Sequence, residues 1–306
     1  MLKQRHYLDF NATAPLRPEA RAAMLDAMDR AGNPSSVHTE GRAARAMLDK
    51  ARRNLAALAG CSAAAVCFTG SGSEANNWAL DALPVGHVYC SAVEHDSVLR
   101  ATTRRGGQTI PVDADGRVDV PRLRQMLSGT ANALVSVMAA NNETGVIQPL
   151  AGIAQACAEA GARLHVDAIQ AAGKLPLAPI TAVADLVSLS AHKLGGPAGV
   201  GALIIRPGLE VTPLIVGGGQ ESWRRAGTEN LIGIVGFGAA AEAAARTFEE
   251  TAPRLHALRD RMEEAILDLC PDARIMGRQA ERLANTSCIR MPGVAAETQV
   301  MALDLA

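Results

Sequence analysis

The chain has 306 residues, 48% of them hydrophobic and 20% charged, which is enough apolar material for a full buried core. A formal net charge of −1 with no long Lys or Arg run excludes the electrostatic footprint of a nucleic-acid or anionic-membrane binder, and leaves a small molecule as the expected partner. The first residues are basic but lack the apolar stretch of a signal peptide, and no apolar run approaches bilayer length, so a cytoplasmic location is expected.

In chain order, Gly41 to Ala59 is predicted to be a helix, with Ala44, Met47, Leu48, Ala51, Leu55 and Leu58 on its apolar face. The opposite face carries Arg42, Arg45, Arg52 and Arg53, and is read as solvated. From Val66 to about Ile205, short apolar runs alternate with longer segments of helical period, the pattern of an α/β domain around a mostly parallel sheet. The predicted strands are Val66 to Phe68, Val88 to Cys90, Leu134 to Met138, Leu164 to Val166, Leu186 to Leu189 and Gly201 to Ile205.

After Gly217 to Gly219 a helical pattern runs from about Leu231 to Leu269, with Pro253 as a break or kink, followed by a strand at Asn285 to Met291 and a helix at Ala295 to Leu305. The change of pattern places a smaller α+β domain (245–306) after a large α/β domain (16–244), with an N-terminal segment (1–15) expected to pack with the small domain. The last helix has no C-terminal stop signal, so truncation is expected. The six cysteines include no Cys-x-x-Cys pair, and buried reduced thiols are the expectation for those in apolar stretches.

Ligands of open α/β sheets bind at the carboxyl ends of the strands, and here those ends are polar. They carry Gly70-Ser71-Gly72-Ser73-Glu74, then Glu94-His95, Asn141-Asn142-Glu143, Asp167, and finally Ser190, His192 and Lys193. The Gly-Ser run is either an ordinary strand-to-helix turn or a phosphate site made of amides at a helix N-terminus. Asp167 is either a helix cap or the partner of a cationic ring nitrogen. His95 is a capping or core histidine, or a ring that stacks on a flat ligand.

Lys193 stands among small and apolar neighbours, which suit a lysine of lowered pKa that bonds an aldehyde; a solvated charge is the alternative. A metal at His165 and His192 lacks any compact ligand cluster to support it. Taken together, a phosphate cradle, an acid for a ring nitrogen, an aromatic lid and a lysine match the way proteins hold pyridoxal 5'-phosphate.

The sequence resembles the NifS/IscS-like cysteine desulfurases, pyridoxal-phosphate enzymes of the class V aminotransferase group. The resemblance is carried by YLDFNATAPLRP, GNPSSVH, FTGSGSEANNWAL, SAVEHDSVL, ANNETGVIQPL, LHVDAIQAAGK, SLSAHKLGGPAGVGAL, GGGQESWRRAGTEN and NTSCIRM, in that order along nearly the whole chain. It implies fold type I of the pyridoxal-phosphate transferases: a large domain with a mostly parallel seven-stranded-type sheet between helices, and an incomplete α+β C-terminal domain.

It further implies that Lys193 holds the cofactor aldehyde, that Asp167 pairs with the ring nitrogen and that His95 stacks on the ring, with Lys193 and His95 as the catalytic pair. Asn142 and Gln170 are implied near the phenolic oxygen. Gly72, Ser73, Ser190 and His192 are implied at the phosphate, joined by Thr228 from the second subunit of a homodimer. The implied reaction takes sulfur from L-cysteine, giving L-alanine and a protein persulfide for an iron-sulfur scaffold or another acceptor.

In the family the persulfide cysteine follows the equivalent of ETQVMALDLA, where this sequence stops, so little sulfide release is expected from these residues alone. The alternatives are a truncated non-catalytic homologue acting as a dimerisation or scaffold-binding partner, and a selenocysteine lyase-type enzyme.

Overall fold

A computed structural model describes residues 6–30 and 32–305. Residues 1–5 of the expected N-terminal segment and Ala306 of the expected C-terminal domain lie outside the described residues.

Helix α1 (Pro18–Met28) starts on a proline, whose fixed φ suits the first helical position and whose missing N–H has no partner to lose there. Helix α2 (Thr39–Ala59) is capped by the ring of His38, which accepts from Gly41 N at 3.3 Å, and it stops at the left-handed Gly60. The alternating part of the chain then runs β1 (Val66–Thr69), α3 (Gly72–Asp81), β2 (His87–Ser91), α4 (Asp96–Arg104), β3 (Gln108–Ile110) and α5 (Val120–Leu127). It continues through β4 (Ala133–Met138), α6 (Leu150–Ala160), β5 (Arg163–Asp167), α7 (Ala178–Val183), β6 (Leu186–Ser190) and β7 (Gly201–Ile205).

These seven strands form one sheet in the order β1-β7-β6-β5-β4-β2-β3. Only β7 is antiparallel to its neighbours. Its link from β6 is too short to hold a crossover helix, so the chain must turn back on itself. The expected mostly parallel α/β architecture is therefore present, and the carboxyl ends of β1, β2, β4, β5 and β6 share one edge. The central strands β4, β6 and β7 are buried along their whole length, which is why they read as continuous apolar runs.

Helix α8 (Leu231–Leu269) packs against α1 and α2, and β8 (Arg274–Ile275), β9 (Ile289–Arg290) and α9 (Ala296–Leu305) complete the chain. Pro253 removes one helical hydrogen bond but neither breaks α8 nor divides it. The apolar residues buried on α8 lie between Ile234 and Ala244, whereas its second half buries only Arg259 and Glu263. By length and composition α8 is apolar enough to cross a membrane, contrary to the sequence expectation, yet Phe237, Ala240, Ala241 and Ala244 are core residues.

The strand expected at Asn285 to Met291 shrinks to two residues. Asn285 and Ser287 direct their side chains into hydrogen bonds with Asn11 (3.0 Å) and Glu263 (2.7 Å), which holds that stretch as a loop.

Arg52 does not lie on a solvated face. It grips Glu221 at 2.7 and 2.6 Å, donates to the Val66 carbonyl at 2.7 Å and stands 4.9 Å over the Phe68 ring. Glu221 also accepts from Phe68 N at 2.9 Å. This pair pins a strained turn in which Glu221, Ser222 and Trp223 have φ of 48°, 58° and 66°. Helical spacing identifies the arginine's face, but not the distant loop that covers it.

Candidate active site

The site grows out of the shared strand edge. Gly201, the first residue of β7, leaves room for a neighbouring backbone: a Cβ there would lie 2.4 Å from the Ser71 carbonyl carbon and 2.8 Å from Gly72 N. Gly72 opens α3 and is equally confined, since a Cβ would meet Ile169 Cδ1 at 2.4 Å and Ser190 Cβ at 3.0 Å. The Ser71 hydroxyl is used within the helix, accepting from Glu74 N at 3.0 Å. The amides of Gly72 and Ser73 remain at the helix N-terminus beside Ser190, whose hydroxyl makes no hydrogen bond among the described residues. Amides at a helix N-terminus beside a hydroxyl are groups that bind an anion.

Asp167 ends β5 and is buried. Its Oδ1 accepts from Ile169 N at 2.9 Å and its Oδ2 from Asn76 Nδ2 at 2.7 Å. Burial pushes its pKa up, while these bonds and the nearby His95 and Lys193 pull it down. No arginine or lysine forms an ion pair with it among the described residues. A buried carboxylate with neutral donors and no paired cation is costly, and the protonated ring nitrogen of pyridoxal phosphate is a group that would complete it. On this observation the residues present fit the expected cofactor.

Lys193 follows β6 in a short helical turn, and its Nζ donates to the main-chain carbonyls of Asn11 at 2.6 Å and Ala12 at 2.9 Å. Partial burial lowers its pKa, opposed by Asp9, Asp167 and Glu143. The histidine before it bonds Thr13 Oγ1 through Nδ1 at 2.7 Å, and its carbonyl accepts from Ala14 N at 2.8 Å. The pKa of His192 is lowered by burial and then by Lys193. Both residues are thus attached to the N-terminal segment.

His95 caps α4, its Nδ1 accepting from Ser97 N at 3.1 Å, so the capping alternative describes one edge of a ring that remains exposed. Gln170 donates to the Asn11 carbonyl at 2.9 Å, and the Asn142 carbonyl accepts from Asn11 Nδ2 at 3.0 Å. Thr228 lies exposed in the segment before α8, and no hydrogen bond links it to these residues among the described ones. Both ring nitrogens of His165 are committed to Ser136 and Ser188, at 2.8 and 2.9 Å, and burial takes its pKa down to about 3. It is a neutral core histidine with no nitrogen left for a metal.

Sequence reasoning missed three polar residues. Asn11 bonds to Asn142, Gln170, Lys193, Lys174, Asn285 and Thr286, tying the N-terminal segment to four separate stretches of chain. Lys174 donates to Gln170 Oε1 at 2.6 Å and Asn11 Oδ1 at 3.1 Å, with its pKa taken down to about 8 by burial and by Lys193. Asn76, one turn into α3, orients Asp167. A buried polar residue on a helix whose other buried positions are mostly apolar was the one available signal for Asn76.

Residues 6–306 match the family model for aminotransferase class-V. A cysteine desulfurase of Cereibacter sphaeroides is 46% identical over 316 residues, an alignment covering 99% of this chain and 81% of that protein. Among solved structures, a NifS-like protein from Rickettsia africae ESF-5 superposes with a TM-score of 0.94 at 33% identity, covering 99% of this chain and 86% of the other. SspA in complex with cysteine superposes at 0.83 with 27% identity, covering 99% and 87% of the two chains.

Proposed function

This chain belongs to the aminotransferase class-V family, and we infer that it is a pyridoxal-phosphate-dependent cysteine desulfurase, taking sulfur from L-cysteine and leaving L-alanine. When bound, the cofactor supplies an electrophilic aldehyde and an electron-withdrawing ring. The single observation that carries the reading is the buried carboxyl of Asp167, without an ion-paired cation, at the same sheet edge as the depressed amine of Lys193.

Within this reading each group has a separate task. Lys193 would hold the cofactor aldehyde and carry protons at its Nζ, which the carbonyls of Asn11 and Ala12 keep at hand. Asp167 would keep a proton on the ring nitrogen, and Asn76 and Ile169 N fix its orientation. His95 would stack on the ring, Gly72, Ser73, Ser190 and His192 would hold the phosphate, and Asn142 and Gln170 would border the ring oxygen. Thr228 completes the phosphate site of a second copy, so the working unit is a homodimer.

The persulfide is assigned to none of Cys61, Cys67, Cys90, Cys157 and Cys288. Cys67, Cys90 and Cys157 are buried, and burial pushes the last two thiols up to about 11 and about 12. Cys61 is raised to about 11, and the Cys288 thiol is raised as well, both by burial. A nucleophilic thiol needs the opposite shift. Delivery of the sulfur to an iron-sulfur scaffold or another acceptor, in the cytoplasm, belongs to the same reading; it is supported by the family resemblance and by the free state of all six cysteines.

The test is optical. Protein supplied with pyridoxal phosphate should develop a visible absorbance band that L-cysteine perturbs. Lys193→Ala should lack the band, and a band that survives that substitution refutes the assignment.

A further inference from the structure

Glu94 precedes His95 in the turn between β2 and α4 and is only 6% exposed. Its Oε1 accepts two hydrogen bonds, one from Ser91 Oγ and one from Met138 N at 2.8 Å. Its Oε2 is buried without a partner among the described residues. Met138 is the β4 residue paired with Asp167 of β5. A single run from Glu94 through Met138 to Asp167 therefore crosses the ends of β2, β4 and β5, joining the segment that carries His95 to the strand that carries Asp167.

An ionised carboxylate spreads its charge over both oxygens and accepts hydrogen bonds at each, whereas a carboxylic acid has one carbonyl oxygen and one hydroxyl. Both donors meet Oε1, and nothing among the described residues donates to Oε2, so a negative charge shared onto Oε2 would be buried without a hydrogen bond, whereas a proton on Oε2 removes that charge. The charged groups facing Glu94 give it no counter-ion: Asp167 on β5 is itself acidic, Cys90 on β2 is a buried thiol, and His95 follows it on its own segment. No lysine or arginine pairs with Glu94 among the described residues. Burial pushes its pKa up to about 8, with Asp167 acting in the same direction against the two hydrogen bonds.

We propose that Glu94 is a positioning residue that works as a neutral, proton-bearing carboxylic acid, holding His95 in register with Asp167 and leaving Asp167 as the ionised member of the pair. This rests on the reading of His95 and Asp167 as groups that contact the cofactor. Loss of the Glu94 proton would place a second buried negative charge beside Asp167, and repulsion would loosen the turn that carries His95.

The experiment uses the cofactor-loaded protein. Infrared spectra of glutamate-labelled enzyme at neutral pH should show a carboxylic-acid carbonyl band that disappears in Glu94→Gln; its absence from the unsubstituted enzyme overturns the proposal. Urea unfolding across pH gives an independent readout that does not depend on turnover. A folded acid with a raised pKa binds its proton more tightly than the unfolded chain does, so its stabilisation is complete below 4.5 and is lost as pH rises towards about 8. Across that window the folding constant of the unsubstituted enzyme should fall, relative to Glu94→Gln, by about tenfold per pH unit. Parallel curves overturn the proposal.

The two readings fail separately. A visible band that persists in Lys193→Ala discards the cofactor assignment but leaves the infrared signal of Glu94 intact. A missing infrared signal in an enzyme whose band does depend on Lys193 discards the Glu94 proposal alone.

Discussion

Lys193 donates its ammonium proton to the main-chain carbonyl of Asn11 at 2.6 Å, across 182 positions of sequence. Because the acceptor is a peptide carbonyl, this contact does not depend on which side chain occupies position 11. The Asn11 side chain has a different task, donating to Asn142 and Thr286 and accepting from Lys174 and Asn285.

Asn11→Ala should therefore separate the two tasks. The visible cofactor band is expected to remain, while the unfolding free energy falls by about 1–3 kcal/mol because partly buried donors and acceptors lose their partners. Urea titration beside an absorbance spectrum checks both. Loss of the band at unchanged stability would contradict this division.

Asp167→Asn keeps the shape and removes the charge. The amide can still bond Asn76 and Ile169 N in part, but it cannot hold a proton on a ring nitrogen. Cofactor affinity should drop, and the rate at which L-cysteine perturbs the visible cofactor band should fall by about 10²-fold or more, the size of one lost preorganised electrostatic contact. A near-normal rate at saturating cofactor would show that Asp167 is only a cap.

Arg52→Ala tests the strained turn. Arg52 and Glu221 side chains are 13% and 2% exposed, so removing the arginine leaves a buried carboxylate unpaired beneath three left-handed residues. A loss of about 3–5 kcal/mol is expected in a thermal or urea melt. A loss below about 1 kcal/mol, the ordinary worth of a solvated surface pair, would restore the reading of a solvated face.

His165 makes the protein acid-sensitive. Its folded pKa of about 3 lies below the ordinary 6.5, so the unfolded chain binds the proton more readily. The stabilisation is complete above 6.5 and is lost as pH falls towards 3, by about tenfold in the folding constant per pH unit. His165→Gln keeps a hydrogen-bonding side chain between Ser136 and Ser188 but cannot titrate, and its stability should be flatter with acid. Identical acid-unfolding curves would show that His165 is not the responsible group.

Much of the fold was legible because its signals are local. Buried parallel strands make continuous apolar runs, and the residues after them, Asp167 and Lys193 among them, had to fall at one edge once the strands were parallel. Strand β3 escaped because it is three residues long at the sheet margin, with Gln108 and Thr109 exposed, and so offers no run to detect. Helix α8 was legible in extent, and of the two outcomes expected at Pro253, a break or a kink, the break does not occur, because the helix continues on both sides of the one missing hydrogen bond.

The sequence by itself determined the class of fold, the polar strand ends and, through motifs in order, the family and its cofactor. Each of these depends on residues near one another in the chain. Only the tertiary structure decided what those residues touch: that Asn11 reaches Lys193, that Asn76 orients Asp167, that Arg52 is buried under Glu221, and that Glu94 is linked through Met138 to the Asp167 strand. Hydrogen bonds and ion pairs between distant segments leave no period in the sequence. They are set by which strands become neighbours and by the burial that follows, and burial is what gives Glu94, His165 and Lys174 their shifted proton affinities.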